Sequence, residues 1–83
     1  MEKILKKEAI GSAIMQMAEL ADSKGARLTV EIETGNGQMR IKAMVWDEDY
    51  TILGRTEFLS GDEALDASGA ADELRRDMER RGA

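Results

Sequence analysis

The sequence predicts an α+β domain of order α-β-β-β-α: a three-stranded antiparallel sheet with two helices packed on one face. Three observations carry this reading. Apolar residues recur at helical spacing near both ends of the chain. Between them, apolar and polar residues alternate one by one, as in half-buried strands. Among the alternating runs stands Gly35-Asn36-Gly37. Asn-Gly is a strong hairpin signal, because a type I′ turn needs positive φ at both central residues. At 83 residues the chain reads as one domain, 1–83.

The first helix is expected from about Lys6 to Ser23. Ala9, Ile10, Ala13, Ile14, Met17, Leu20 and Ala21 fall on one face, with Glu8, Ser12, Gln16 and Glu19 opposite. Ile4 and Leu5 do not fit this phase, so the first five residues are expected to fray or pack separately. Gly25 suits the left-handed residue that closes the helix. In the next run Leu28, Val30 and Ile32 point one way and Arg27, Thr29, Glu31 and Glu33 the other. With Asn36-Gly37 as a two-residue loop, paired residue numbers sum to 73. Ile32 then meets Ile41, Glu31 meets Lys42, Glu33 meets Arg40, and Arg27 faces Trp46 as a cation–π candidate. A slip of one residue would undo every pair.

The third strand is expected over about Thr51 to Leu59. A pair sum of 99 sets Trp46 against Leu53, Lys42 against Glu57 and Ile41 against Phe58. A sum of 97 would oppose Lys42 to Arg55. Gly54 marks a bulge or a close helix approach. Ser60-Gly61-Asp62-Glu63 has the form of a capping box and starts the last helix near Gly61. That helix runs to about Arg81, with Ala64, Ala67, Ala71, Leu74 and Met78 as its buried stripe and a kink or a restart expected at Ser68-Gly69.

Composition excludes much. There is no Cys and no His, so no disulfide, thiolate nucleophile or ordinary zinc site is expected, and the commonest general base near neutral pH is missing. Ser12, Ser60 and Ser68 have no base in pattern with them. The expectation is a protein that is not an enzyme, with no catalytic, cofactor or metal residues. Asp47-Glu48-Asp49 does not match a calcium loop. No apolar run approaches a membrane span, and the N-terminus lacks a signal-peptide core, so no membrane contact and a cytoplasmic location are expected.

The net charge of −5 is local. Residues 47–66 carry Asp47, Glu48, Asp49, Glu57, Asp62, Glu63 and Asp66 against Arg55 alone, while the remaining segments balance to within one charge. The outer sheet face is expected to cluster Met44, Trp46 and Leu53 at one end. Exposed Trp and Met are enriched at interfaces. Asp47, Glu48, Asp49, Asp62, Glu63 and Asp66 would steer a basic partner, and Trp46, Met44 and Leu53 would anchor it.

The element order resembles the double-stranded-RNA-binding domain. Ser60-Gly61-Asp62-Glu63-Ala64, followed by Ala67, Ala70, Ala71 and Leu74, is similar to that family's Ser-Lys-Lys-Glu-Ala helix start. Where the family has phosphate-gripping lysines, this chain has Gly61 and Asp62. The resemblance supports the topology and argues against RNA binding. In size, acidity and lack of Cys, the chain also resembles small phage-encoded inhibitors of bacterial defence, the anti-CRISPR type. These readings together lead to a small acidic inhibitor that docks on and blocks a larger protein, one that binds nucleic acid, without touching nucleic acid itself. Two alternatives compete: a homo-oligomer (a homodimer) using the Trp46 face as its subunit interface, and a degenerate RNA-binding domain working through Arg75, Arg76, Arg80 and Arg81.

Overall fold

A computed structural model describes residues 3–61 and 65–83. The elements are β1 (Ile4–Lys6), a 3₁₀ turn (Lys7–Ala9), α1 (Ile10–Ser23), β2 (Arg27–Gly35), β3 (Gln38–Trp46), β4 (Ile52–Gly61) and α2 (Ala67–Arg80). The fold is α+β with two helices, but the sheet has four strands in the order β1-β4-β3-β2. β1 runs parallel to β4, so the sheet is mixed rather than wholly antiparallel.

The strand missed in the sequence is its first one. Ile4 pairs with Leu59, Leu5 with Ser60 and Lys6 with Gly61. Leu5 is fully buried, which accounts for Ile4 and Leu5 falling out of helical phase. On the far side of β1, Leu65 N–H donates to the Ile4 carbonyl and Lys6 N–H to the Leu65 carbonyl, at 2.8 and 3.0 Å. Both flanks of β1 are thus occupied.

This pairing also corrects the start of the last helix. Ser60 and Gly61 belong to β4, so they do not open a helix, and Asp62, Glu63 and Ala64 lie outside the described residues. Gly61 sits against Ile4, where a Cβ would come within 2.6 Å of Ile4 Cγ2. Asp66 caps α2 instead, its carboxylate accepting from Gly69 N–H at 2.8 Å and from the Ser68 hydroxyl at 3.0 Å. Ser68 and Gly69 therefore lie in a capped first turn: of the two expected outcomes the helix starts there rather than kinking, and α2 is continuous from Ala67 to Arg80.

The hairpin register is the expected one from Arg27↔Trp46 to Gly35↔Gln38. Asn36 and Gly37 have φ of 52° and 74°, as a type I′ turn requires. β3 and β4 pair as expected from Arg40↔Leu59 to Val45↔Gly54. There the register shifts: Trp46 pairs with Ile52, not Leu53. Gly54 lies under α2, and a Cβ on it would collide with Met78 Cγ. The expected bulge and the expected helix approach thus occur side by side.

Both helices pack on one sheet face. Ala13, Met17 and Ala21 of α1 and Ala70, Leu74 and Met78 of α2 meet Ala43, Val45 and Phe58, with Leu5 closing the edge. The small alanines let the helices approach closely. α1 ends in a Schellman motif, with Gly25 at φ 63°, Gly25 N–H on the Asp22 carbonyl and Ala26 N–H on the Ala21 carbonyl. The cover stops short of the outer end of β2, where Ile32 remains 50% exposed on the helix-bearing side.

Candidate functional site

The opposite sheet face carries no helix. Two kinds of surface lie along it. Toward the β2–β3 turn it is ionic: Glu57 takes Arg40 at 2.6 Å and Arg55 at 3.6 Å. The Arg40 hydrogen bond holds the Glu57 carboxyl below its usual range against a smaller opposing effect of burial, with Lys42 and Arg55 adding to the depression.

Toward the β3–β4 loop apolar side chains stand on the face between Arg27 and Arg55. Met44 and Trp46 lie on it as expected, but Leu53 does not. The register shift leaves Leu53 as the extra residue of the bulge, and it packs against the helix-side core. Ile52 takes the place opposite Trp46. The anchor is therefore Met44, Trp46 and Ile52. The Trp46 indole N–H donates to Thr29 Oγ1 at 2.8 Å, which fixes the ring along the sheet. The expected Arg27–Trp46 cation–π pair is not the one formed. Arg27 lies over the Tyr50 ring, 5.1 Å from its centroid, and donates to the phenol oxygen at 3.3 Å.

Asp47, Glu48 and Asp49 form the adjoining loop. Asp47 N–H donates to the Thr51 carbonyl and Tyr50 N–H to the Asp47 carbonyl, at 3.0 and 3.2 Å. The Asp47 carboxylate accepts from Asp49 and Thr51 N–H at 2.8 and 2.9 Å. Asp47 therefore builds the loop, while Glu48 and Asp49 are exposed on it. Trp46, Asp47 and Glu48 share one shallow hollow of about 360 Å³ with Gly25, Ala26 and Arg27. Tyr50 closes the loop at φ 61°, a conformation that costs an L-residue with a bulky side chain on the order of 1 kcal/mol. Its ring is 68% exposed. Sequence reasoning passed over Tyr50; the one available signal was a non-glycine at the last place of a short hairpin loop.

The acids adjacent in sequence are not adjacent in space. The loop and Asp66 lie at opposite ends of the ten-residue β4, about 30 Å apart at the rise of a strand. Asp66 is committed to its helix cap, and its carboxyl is held below the usual range first by Gly69 N–H and then by the Ser68 hydroxyl. Asp62 and Glu63 lie outside the described residues. The structure thus groups Asp47, Glu48 and Asp49 with Trp46 and Met44, and separates Asp66 from them.

On α2, Arg75 pairs with Asp72 and Glu79 at 2.6 and 2.9 Å, and Arg76 with Glu73 and Asp72 at 3.7 and 3.8 Å. Arg81 and Arg80 pair with Asp77 at 2.7 and 3.2 Å. Asp77 also accepts Arg55 N–H of β4 at 2.7 Å, which ties helix to strand. Among the described residues, no three acidic side chains gather so as to hold a metal ion, and no helix is long and apolar enough to cross a membrane. No protein-family model matches this chain, and neither does any curated protein or solved structure.

Proposed function

We propose that the protein is a small, non-enzymatic inhibitor that docks through the Trp46 end of its open sheet face on a larger nucleic-acid-binding protein and blocks it. The supporting observation is the juxtaposition of an apolar anchor with a local negative charge. Met44, Trp46 and Ile52 form the anchor, and Glu48 and Asp49 stand on the loop that continues from it. Aromatic side chains at the centre of an interface usually dominate its energy, and charges at the rim set the rate of encounter. Carboxylates there compete for the cationic cleft that otherwise takes phosphates. Tyr50, held in a costly conformation and largely exposed, extends the same surface. The reading agrees with the resemblance in character to anti-CRISPR-type proteins. RNA contact through Arg75, Arg76, Arg80 and Arg81 has less support, since each guanidinium already meets a carboxylate of its own helix.

The test is a pull-down from a bacterial lysate, followed by affinity measurement on the captured protein and competition with its nucleic acid. Trp46→Ala should weaken binding at least about thirtyfold, the effect of a 2 kcal/mol hot spot. Reversing Glu48 and Asp49 to Lys, which leaves the loop-building Asp47 in place, should slow association and invert its salt dependence. Retention of the partner at full affinity by both variants would refute the proposal.

A further inference from the structure

We infer that β2 is a self-association edge: two copies of the chain join their β2 strands antiparallel about a two-fold axis at Val30, making one continuous eight-stranded sheet. β2 ends the sheet, and its nine residues carry no proline and no bulge. The other end is closed, because Leu65 occupies the outer flank of β1. A long, flat, unprotected edge strand invites pairing with another chain.

The backbone of β2 is in phase for this. Gly35 and Gln38 close a two-residue turn as a hydrogen-bonded pair, so in β2 the odd residues face β3. Leu28, Val30 and Ile32 then present their N–H and C=O groups outward. With the axis at Val30, Leu28 meets Ile32 of the second copy twice and Val30 meets itself, which gives about six new backbone hydrogen bonds.

The side chains select this register. On the open face Arg27 meets Glu33 at both ends, and Thr29 meets Glu31. On the helix-bearing face the half-exposed Ile32 is covered by Leu28 of the second copy. Moving the axis to Glu31 sets Glu31 against itself, and moving it to Ile32 sets Glu31 against Glu33 twice. Moving it to Thr29 leaves Ile32 outside the paired Arg27–Glu31 segment. Only the Val30 axis satisfies charge and apolar cover together. Met15, 60% exposed, lies on α1, the helix packed on β2, and so adds apolar surface to the same half of the molecule.

The experiment is sedimentation equilibrium of the full chain, with oxidative cross-linking of an equal mixture of Thr29→Cys and Glu31→Cys. The expected mass is twice 9.2 kDa. Ile32→Lys should raise the dimer dissociation constant at least tenfold with its circular dichroism spectrum unchanged. Trp46→Ala should leave the dimer intact, which separates this inference from the docking proposal. Cross-links should join position 29 to position 31 in preference to either like pair. A monomer at millimolar concentration would overturn the inference, as would a dimer indifferent to Ile32→Lys or one cross-linked mainly 29 to 29.

Discussion

Replacing Gly54 by Ala tests how closely α2 rides on the sheet. The added methyl collides with Met78 Cγ and touches Leu74 Cδ1 and Met78 Cβ at 3.4 and 3.5 Å. Cγ lies near the stem of a side chain that is itself 1% exposed, so Met78 has little room to swing. The helix is also held there by Asp77 on Arg55 N–H. Overpacking of this kind costs about 1–3 kcal/mol. Removing a glycine from a strand returns about 0.5–1 kcal/mol. The net loss should be about 1.5 kcal/mol, the upper part of the range, because neither helix nor strand can yield. With an m-value near 1 kcal/mol per molar urea, the midpoint should fall by about 1.5 M. Trp46, the one tryptophan, reports the transition. Met78→Ala alone should cost about 2–5 kcal/mol, and in the double variant the new methyl enters the space vacated. The double loss should fall short of the sum by at least about 1 kcal/mol, with all four proteins in the same stabilising osmolyte. A Gly54→Ala protein within about 0.5 kcal/mol of wild type, or strict additivity, would show the reasoning to be wrong.

Leu5→Ala should lose about 2–4 kcal/mol in the same urea assay, a large share of the stability of a domain this size; a loss below about 1 kcal/mol would mean that β1 does not seal the core. Asp77 is pushed upward by burial, yet Arg81, Arg55 N–H and Arg80 more than offset this and leave its pKa below the usual value. Its contribution is therefore full above the unfolded-state pKa and lost as pH falls through the lower folded value. Wild-type stability should drop below about pH 4, and Asp77→Asn should flatten that drop in acid urea titrations. Gly37→Ala should cost about 1 kcal/mol, purely conformational because nothing lies within 4 Å of the new methyl, and D-alanine at 37 should restore the loss.

How much of this could be read in advance depended on how local the determining contacts are. The β2–β3 hairpin was legible because Asn36-Gly37 sets its register and Glu31, Glu33, Arg40 and Lys42 agree with it. The β3–β4 pairing was legible up to Val45. Beyond it, the bulge arises where Gly54 passes under Met78 and the loop closes on Tyr50, and neither contact leaves a period in the sequence. Leu53 was misplaced for that reason, and Ile52 overlooked. β1 was invisible because three residues show no alternation and their partners are more than fifty positions away. At the start of α2 the sequence pointed to Ser60 with Glu63 as the cap. Pairing of Ser60 and Gly61 with β1 puts them in β4 and leaves Asp66 to cap the helix, an outcome no local pattern contains. The charge map was right along the chain and incomplete in space, since β4 carries its two acidic ends apart.

The parallel pairing of β1 with β4 also sets a timetable. Ile4 waits for Leu59, and closing so long a loop costs about 1.5 kcal/mol more than closing one of ten residues. At ribosomal speeds of about 5–20 residues per second, three to eleven seconds separate the synthesis of Leu5 from that of Ser60 beside it. Throughout that interval α1 and the β2–β3 hairpin can assemble, but α2 has yet to be made and the core stays open. A strand made before the hairpin is seated only after it, and the nascent chain carries an unsheltered leucine until Ser60 has been made.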